Sequence, residues 1–402
     1  VTLAQVAVTG LGVVSPHGDD ARAMFAALMR GESAIRPVFP ELPKPAAAAT
    51  VAFDEARWFT KLQLPGVDRV SQLAVAAAEM AVRDAGTLGG AEPERVGVFG
   101  GCGMGGATAL EAAYRGNGRV PPLTIPAFMP NAPASQVAMR LNARGPVFTY
   151  SVACASSAVA IAEAAKAVQR GEVDVAIAGG SEALIVPGVV LAWQAMQTLA
   201  PVAAGEESRA VRPFAADRAG FALGEGAAFL VLESAERARA RGAAVHALLS
   251  GWGHSCDATH LTKPDAPGQA RALRAALRTA GLTPADVGYC NAHGTATRIG
   301  DAVEAQALAE VWGAQLPGLQ VSSTKALHGH LLGAAGALEA VVTVLALQNG
   351  RLPPNAHADQ PDPACGLNLV PAGGAEAPAL RAAISSSFAF GGSNAVLLFE
   401  RP

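Results

Sequence analysis

The 402-residue sequence predicts an α/β protein built on a sheet with helices on both faces. Runs of small and β-branched residues alternate with alanine-rich runs of helical length. The strand-like runs are apolar at successive positions rather than at every second one, the pattern of strands buried on both sides. After about residue 250 a similar order of elements begins again. That recurrence implies two halves of like design, although no strong residue-level repeat is visible.

In the first half, strands are predicted over residues 5–10, 95–100, 148–152, 173–178 and 227–232. Helices are predicted over 71–85, 156–169 and 234–241, with Gly171 and Gly242 as stops because glycine accepts the left-handed turn that ends a helix. In the second half the strands fall at 245–250, 287–292, 319–322, 382–387 and 394–399, and the helices at 268–280, 301–311 and 331–348. The halves are placed at 1–250 and 251–402. Proline-rich stretches at 37–45, 121–133 and 353–363 read as loops.

A hydrophobic content of 51% over this length is enough for a large core. Charged residues make up only 16% and the formal net charge is -3, with no lysine or arginine run of the kind that marks a nucleic-acid or membrane partner. The cysteines Cys102, Cys154, Cys256, Cys290 and Cys365 are odd in number and lack a C-x-x-C pair, as expected of reduced thiols in a cytoplasmic protein. No basic, apolar leader opens the sequence, so no signal peptide is expected. The apolar stretch 331–347 carries Glu339 and falls short of the roughly 20 residues of a membrane span, so it reads as a buried helix.

Cys154 stands where a predicted strand gives way to a predicted helix. There the free amides and the positive end of the helix dipole are expected to lower its pKa and to hold an oxyanion. A cysteine among alanines is equally a small core residue. The histidines tip the balance. His293, in Asn-Ala-His-Gly-Thr-Ala-Thr (291–297), and His330, in Ser-Ser-Thr-Lys-Ala-Leu-His-Gly-His (322–330) with Lys325, each end a strand of the second half. Strand ends are where open α/β sheets place their ligands, and a nucleophile with two imidazoles there points to chemistry. The glycines of Phe-Ala-Phe-Gly-Gly-Ser-Asn (388–394) let a backbone amide come close to a substrate.

These motifs, in this order, resemble the β-ketoacyl-acyl carrier protein synthases, the Cys-His-His condensing enzymes of the thiolase superfamily. The resemblance runs from Val8-Thr-Gly-Leu-Gly12 to Asn394 and rests on Ala-Cys-Ala-Ser around Cys154, His-Gly-Thr-Ala-Thr-Arg-Ile-Gly-Asp from His293, Gly-His-Leu-Leu-Gly-Ala-Ala-Gly around His330, and Phe-Gly-Gly-Ser-Asn. It implies a thiolase-like fold in five layers, α-β-α-β-α, and a decarboxylative condensation of a Cys154-bound acyl group with malonyl carried on acyl carrier protein. It also implies that His293 and His330 stabilise the enolate, that Lys325 pairs with Glu339, and that the amides of Cys154 and Phe390 form the oxyanion hole. Phe390 would act as a gate, supported by Phe388, Gly391, Gly392 and Asn394, and Thr295 and Thr297 would meet the pantetheine arm. Leu110, Leu123, Thr124, Phe148 and Met196 fall in stretches that line the acyl pocket and dimer contact of relatives. No metal or nucleotide cofactor is implied. The expected partners are acyl carrier protein and a second subunit, either an identical copy, with the strand before Cys154 at the interface, or a chain-length-factor-like partner.

Three departures from the family pattern stand out. His328 replaces a frequent threonine, Thr124 is small, and Gln197 stands where arginine is common, which implies an altered acyl shape and an altered carrier contact. Among rival readings, Gly101-Cys-Gly-Met-Gly-Gly106 matches the dinucleotide-binding G-x-G-x-x-G, but no acidic residue closes a second strand about twenty residues on. A metal site using His328, His330, Cys256 or His260 lacks a ligand spacing. A thiolase would carry a second cysteine in 388–394, and a chain-length factor would lack Cys154.

Overall fold

In the computed structural model, which describes residues 4–86 and 88–402, eleven strands join in one hydrogen-bonded ladder. In chain order they are β1 (Val6–Val14), β2 (Val96–Gly101), β3 (Val147–Tyr150), β4 (Val175–Glu182), β5 (Gly226–Ser234), β6 (Ala247–Cys256), β7 (Tyr289–Asn291), β8 (Gln320–Ser322), β9 (Asn368–Leu369), β10 (Ala382–Ala389) and β11 (Ser393–Glu400). Their spatial order is β9-β8-β7-β10-β11-β6-β1-β5-β4-β2-β3.

The duplication is written in this topology. Outward from the seam between β1 and β6, each half makes two antiparallel pairings followed by two parallel ones: β1-β5-β4-β2-β3 on one side and β6-β11-β10-β7-β8 on the other. The seam is short and antiparallel, pairing Val6 with Leu249, Ala7 with Leu248 and Val8 with Ala247. Residue 250, where the sequence reading divides the chain, lies inside β6, so the structural boundary falls before Ala247, in the connection that leads into this strand.

The helices that complete the layers are α1 (Arg69–Asp84), α2 (Ala107–Arg115), α3 (Ala132–Leu141), α4 (Ser156–Gln169), α5 (Pro187–Ala195), α6 (Ala266–Ala280), α7 (Arg298–Trp312) and α8 (Ala335–Asn349). Helix α1, with α3 beside it, covers the outer face of the first half, and α6, with α7, covers that of the second. Helices α4 and α8 touch each other and strands of both halves, which makes them the middle of an α-β-α-β-α stack. Their sequences suit that place. Helix α4 is rich in alanine, which lets sheets approach closely, and every residue of α8 from Ala335 to Leu347 is buried. The stretch Leu332–Asn349 is apolar and long enough to pass for a membrane span, yet it is enclosed by protein, as its sequence reading anticipates.

The predicted helices begin and end within a few residues of the observed ones because their caps are local. Asp68 accepts a hydrogen bond from the Val70 amide at the start of α1, and Asp265 accepts one from Gly268 at the start of α6. One close approach fixes the amino-terminal end of α4. A Cβ on Gly101 would lie 2.3 Å from the Ser157 nitrogen, so only glycine at the end of β2 lets α4 start where it does.

Candidate active site

Four loops meet at the carboxyl ends of β3, β7, β8 and β10, and they carry Cys154, His293, Lys325 with His330, and Phe390. The duplication makes β3 and β8 equivalent strands, so Cys154 and the Lys325–His330 segment leave matching positions of the two halves. The turn at Cys154 is tight: Ala153 holds φ at +46°, a left-handed value that a non-glycine residue rarely adopts. Ser156 staples it, its hydroxyl accepting from the Val152 amide at 2.8 Å and donating to the Ala153 carbonyl at 2.7 Å.

Cys154 Sγ lies 3.1 Å from His330 Nε2. The ring of His293 stands edge-on to that of His330 at 5.4 Å, and one ligand atom from each of the three residues falls within 4.8 Å of the others. The Leu332 amide donates to His330 Nδ1 at 3.3 Å. A nitrogen that accepts a hydrogen bond carries no proton, so the neutral ring has its proton on Nε2, facing the thiol. Both imidazoles are held neutral. Burial, then the Lys325 charge, pushes the pKa of each well below the usual histidine range.

The sequence reading expects a lowered thiol pKa at Cys154, and the structure reverses it. Burial pushes this thiol up to about 12, against the opposing pull of Lys325. The dipole of α4 is still present, but desolvation of a thiolate outweighs a terminal partial charge. Cys154 therefore rests as a thiol. Iodoacetamide labelling of Cys154, followed in a Cys256→Ser background because Cys256 is the exposed thiol, is expected to accelerate about tenfold per pH unit between about pH 7 and 10 without levelling off. The thiolate fraction grows tenfold per unit below the pKa. A plateau near about pH 7, read by intact mass over time, contradicts this.

Lys325 and Glu339 form a completely buried ion pair. Burial raises the Glu339 carboxyl to about 7 while Lys325 opposes the rise. Lys325→Met leaves that carboxylate unpaired and is expected to cost about 3–5 kcal/mol of stability, whereas Lys325→Met combined with Glu339→Leu is expected to cost less than the single change. Denaturant unfolding of both variants decides; a double variant less stable than the single one contradicts the pairing argument.

Residues absent from the sequence-derived site hold these groups in place. Glu304, on α7, accepts from the amides of His293 at 2.8 Å and Gly294 at 2.7 Å. Asp301, three residues before Glu304 on the same helix, accepts from the Phe214 amide at 2.7 Å. Glu182, at the end of β4, gathers the amides of Gly103, Met104 and Gly333. An acid at a strand end is the only sequence signal for Glu182, and nothing local reveals its partners.

A cavity of about 770 Å³ opens over the triad. Thr295 and Thr297 line it with their hydroxyl oxygens 3.1 Å apart, and Phe388, Phe390, Gly392 and Asn394 line it from the β10–β11 connection. Gly391 and Gly392 turn that connection with φ of +85° and +74°. Asn394 anchors it by donating to Asp257 at 2.6 Å. Gln197 also lines the cavity.

Leu110, Leu123, Thr124, Phe148 and Met196 do not line this cavity in the single chain. Thr124 is buried, with its hydroxyl donating to the Pro121 carbonyl at 2.8 Å, Leu110 is half-buried, and Leu123, Phe148 and Met196 are exposed. Phe148 belongs to β3, an edge strand of the ladder.

The rival sites fare poorly. In the G-x-G-x-x-G loop, the amides of Gly103 and Met104 are already taken by the Glu182 carboxylate rather than left for a pyrophosphate. Cys154, His293 and His330 have the composition of a soft-metal site, but metal ligation through His330 Nε2 requires a proton on Nδ1, where the Leu332 amide already donates. His328 is buried away from them, its ring nitrogens meeting Thr324 Oγ1 at 2.8 Å and the Gly329 carbonyl at 2.7 Å.

A duplicated five-layer α/β fold with a buried Cys-His-His cluster at its strand ends defines a thiolase-type condensing enzyme. Residues 4–238 match the family described as "Beta-ketoacyl synthase, N-terminal domain" and residues 246–359 match "Beta-ketoacyl synthase, C-terminal domain". The chain belongs to the β-ketoacyl synthase family and is an acyltransferase. It is 42% identical over 407 residues, 99% of each chain, to Nodulation protein E of Rhizobium sp. (strain N33). It is 38% identical over 409 residues, 99% of this chain and 98% of the other, to 3-oxoacyl-[acyl-carrier-protein] synthase 2 of Staphylococcus aureus (strain N315). The solved structure titled "The ishigamide ketosynthase/chain length factor" superposes with a TM-score of 0.91 at 33% identity over all of both chains.

Proposed function

We propose that this protein lengthens acyl chains on acyl carrier protein, with each residue of the site in a defined role. Cys154 Sγ attacks the acyl thioester and the carrier thiol leaves. Malonyl on its carrier then loses carbon dioxide, and the enolate oxygen is held by imidazole N–H groups of His330 and His293. The enolate carbon attacks the acyl-Cys154 carbonyl, and collapse of the adduct expels the Cys154 sulfur and releases the β-ketoacyl product. The observation that carries this reading is the tautomer of His330, whose Nε2–H points to the reacting sulfur. Two neutral imidazoles supply the electrophilic stabilisation, so the proposal includes no metal or nucleotide cofactor.

The amides of Cys154 and Phe390, neither of which donates to a turn or loop carbonyl among the described residues, serve as the oxyanion hole. Thr295 and Thr297 receive the pantetheine arm, and Phe390 is the gate. The protein acts in the cytoplasm, in fatty-acid or type II polyketide or polyene assembly. Edge strand β3, with Val147 and Phe148 exposed, is the dimer contact and completes the acyl pocket around Leu110, Leu123, Thr124, Phe148 and Met196. A second copy is the occupant proposed; the ketosynthase/chain length factor neighbour favours a heterodimer as the second reading.

The test is an intact-mass series. Purified protein mixed with acyl-carrier proteins of different chain length is expected to gain one acyl mass, and malonyl-carrier protein is expected to discharge it as β-ketoacyl product. Failure of every primer to acylate the homogeneous protein, followed by acylation after a chain-length-factor subunit is added, replaces the first reading by the second.

A further inference from the structure

Trp193 belongs to none of the motifs that identify the site, yet it lines the catalytic cavity from α5. Its ring stacks on that of Phe390, with centroids 6.0 Å apart and planes inclined by 24°. On its other side it meets Phe221 edge-on at 5.4 Å, and Phe221 meets the His330 ring edge-on at 5.2 Å. A continuous row of rings therefore runs from Phe390 to a catalytic imidazole. The two ends of the Trp193–Phe390 stack differ in how firmly they are held. Trp193 packs against a buried apolar cluster that includes Leu184, Val186, Val190 and Phe221. Phe390 precedes the two left-handed glycines Gly391 and Gly392, a backbone with few preferences of its own.

We propose that Trp193 is the positioning residue that holds Phe390 in its resting place. An acyl chain entering the cavity breaks the stack, frees Phe390, and so admits malonyl only after Cys154 is loaded. This rests on the reading of Phe390 as the gate. A stack of this geometry shifts a two-position side chain by about 2- to 10-fold.

The experiment compares Trp193→Leu, which keeps an apolar side chain but loses the stack, with Trp193→Phe, which keeps a ring. The quantity read is malonyl-carrier decarboxylation without an acyl primer, divided by the condensation rate. Trp193→Leu is expected to raise this ratio by about 2- to 10-fold, and Trp193→Phe to restore it to within about 2-fold of the wild type. Phe390→Ala is measured beside them. If Phe390→Ala raises the ratio and Trp193→Leu does not, Trp193 does not position the gate, while the gate reading stands. If Phe390→Ala leaves the ratio unchanged, the gate reading fails and takes this proposal with it. Should Trp193→Leu not fold, Trp193→Met carries the same expectation.

Discussion

Cys154→Ala is expected to abolish acyl transfer and condensation, with a fall of about 10⁴-fold or more, while malonyl-carrier decarboxylation persists. The asymmetry follows from the geometry. In the proposed mechanism only Sγ forms the acyl bond, whereas the His330 Nε2–H that would hold the enolate is fixed by the Leu332 amide and does not depend on the cysteine. Alanine is smaller than cysteine and suits a buried position among the alanines of this segment, so loss of folding is not the expected explanation of a null result. Intact mass reports acylation, and carbon dioxide release reports decarboxylation. Condensation by Cys154→Ala at the wild-type rate would falsify the assignment of the nucleophile.

His330→Ala and His293→Ala are each expected to lower decarboxylation by about 10²- to 10³-fold, the usual consequence of deleting one donor to a developing oxyanion, while acylation of Cys154 is partly retained. His330→Ala has a further cost. It leaves the buried Leu332 amide without its acceptor, so this variant is expected to lose more stability than His293→Ala, whose Nδ1 has no partner among the described residues. Acylation and decarboxylation measured separately on each variant test the division of labour. Acylation lost as completely as decarboxylation in both variants contradicts it.

Much of this fold was legible because its signals are local. The continuous apolar runs, the glycine stops at 171 and 242, and the restart after residue 250 are all properties of short windows, and the strands and helices they predict are found in place. Gly171 and Gly242 do adopt left-handed φ values of +67° and +69°. The division placed at 250 falls inside β6 because the strand expected over 245–250 runs on to Cys256, a continuation held by long-range pairing with β11. Glu182 was missed for a similar reason: its partners at Gly103, Met104 and Gly333 are brought to it only by folding.

By itself the sequence placed Cys154, His293, Lys325 and His330 at strand ends, because each position can be read from a few neighbouring residues. It also determined the duplicated α/β plan, through the order of its apolar runs. Tertiary structure alone decided the protonation states. The thiol is raised to about 12 because folding strips it of water, and the His330 proton sits on Nε2 because one amide donates to Nδ1. The row of rings from Phe390 through Trp193 and Phe221 to His330 was likewise decided only by folding, since its members come from four separate parts of the chain. Residue type and order are properties of the chain, but burial and through-space contact exist only once distant segments have packed together.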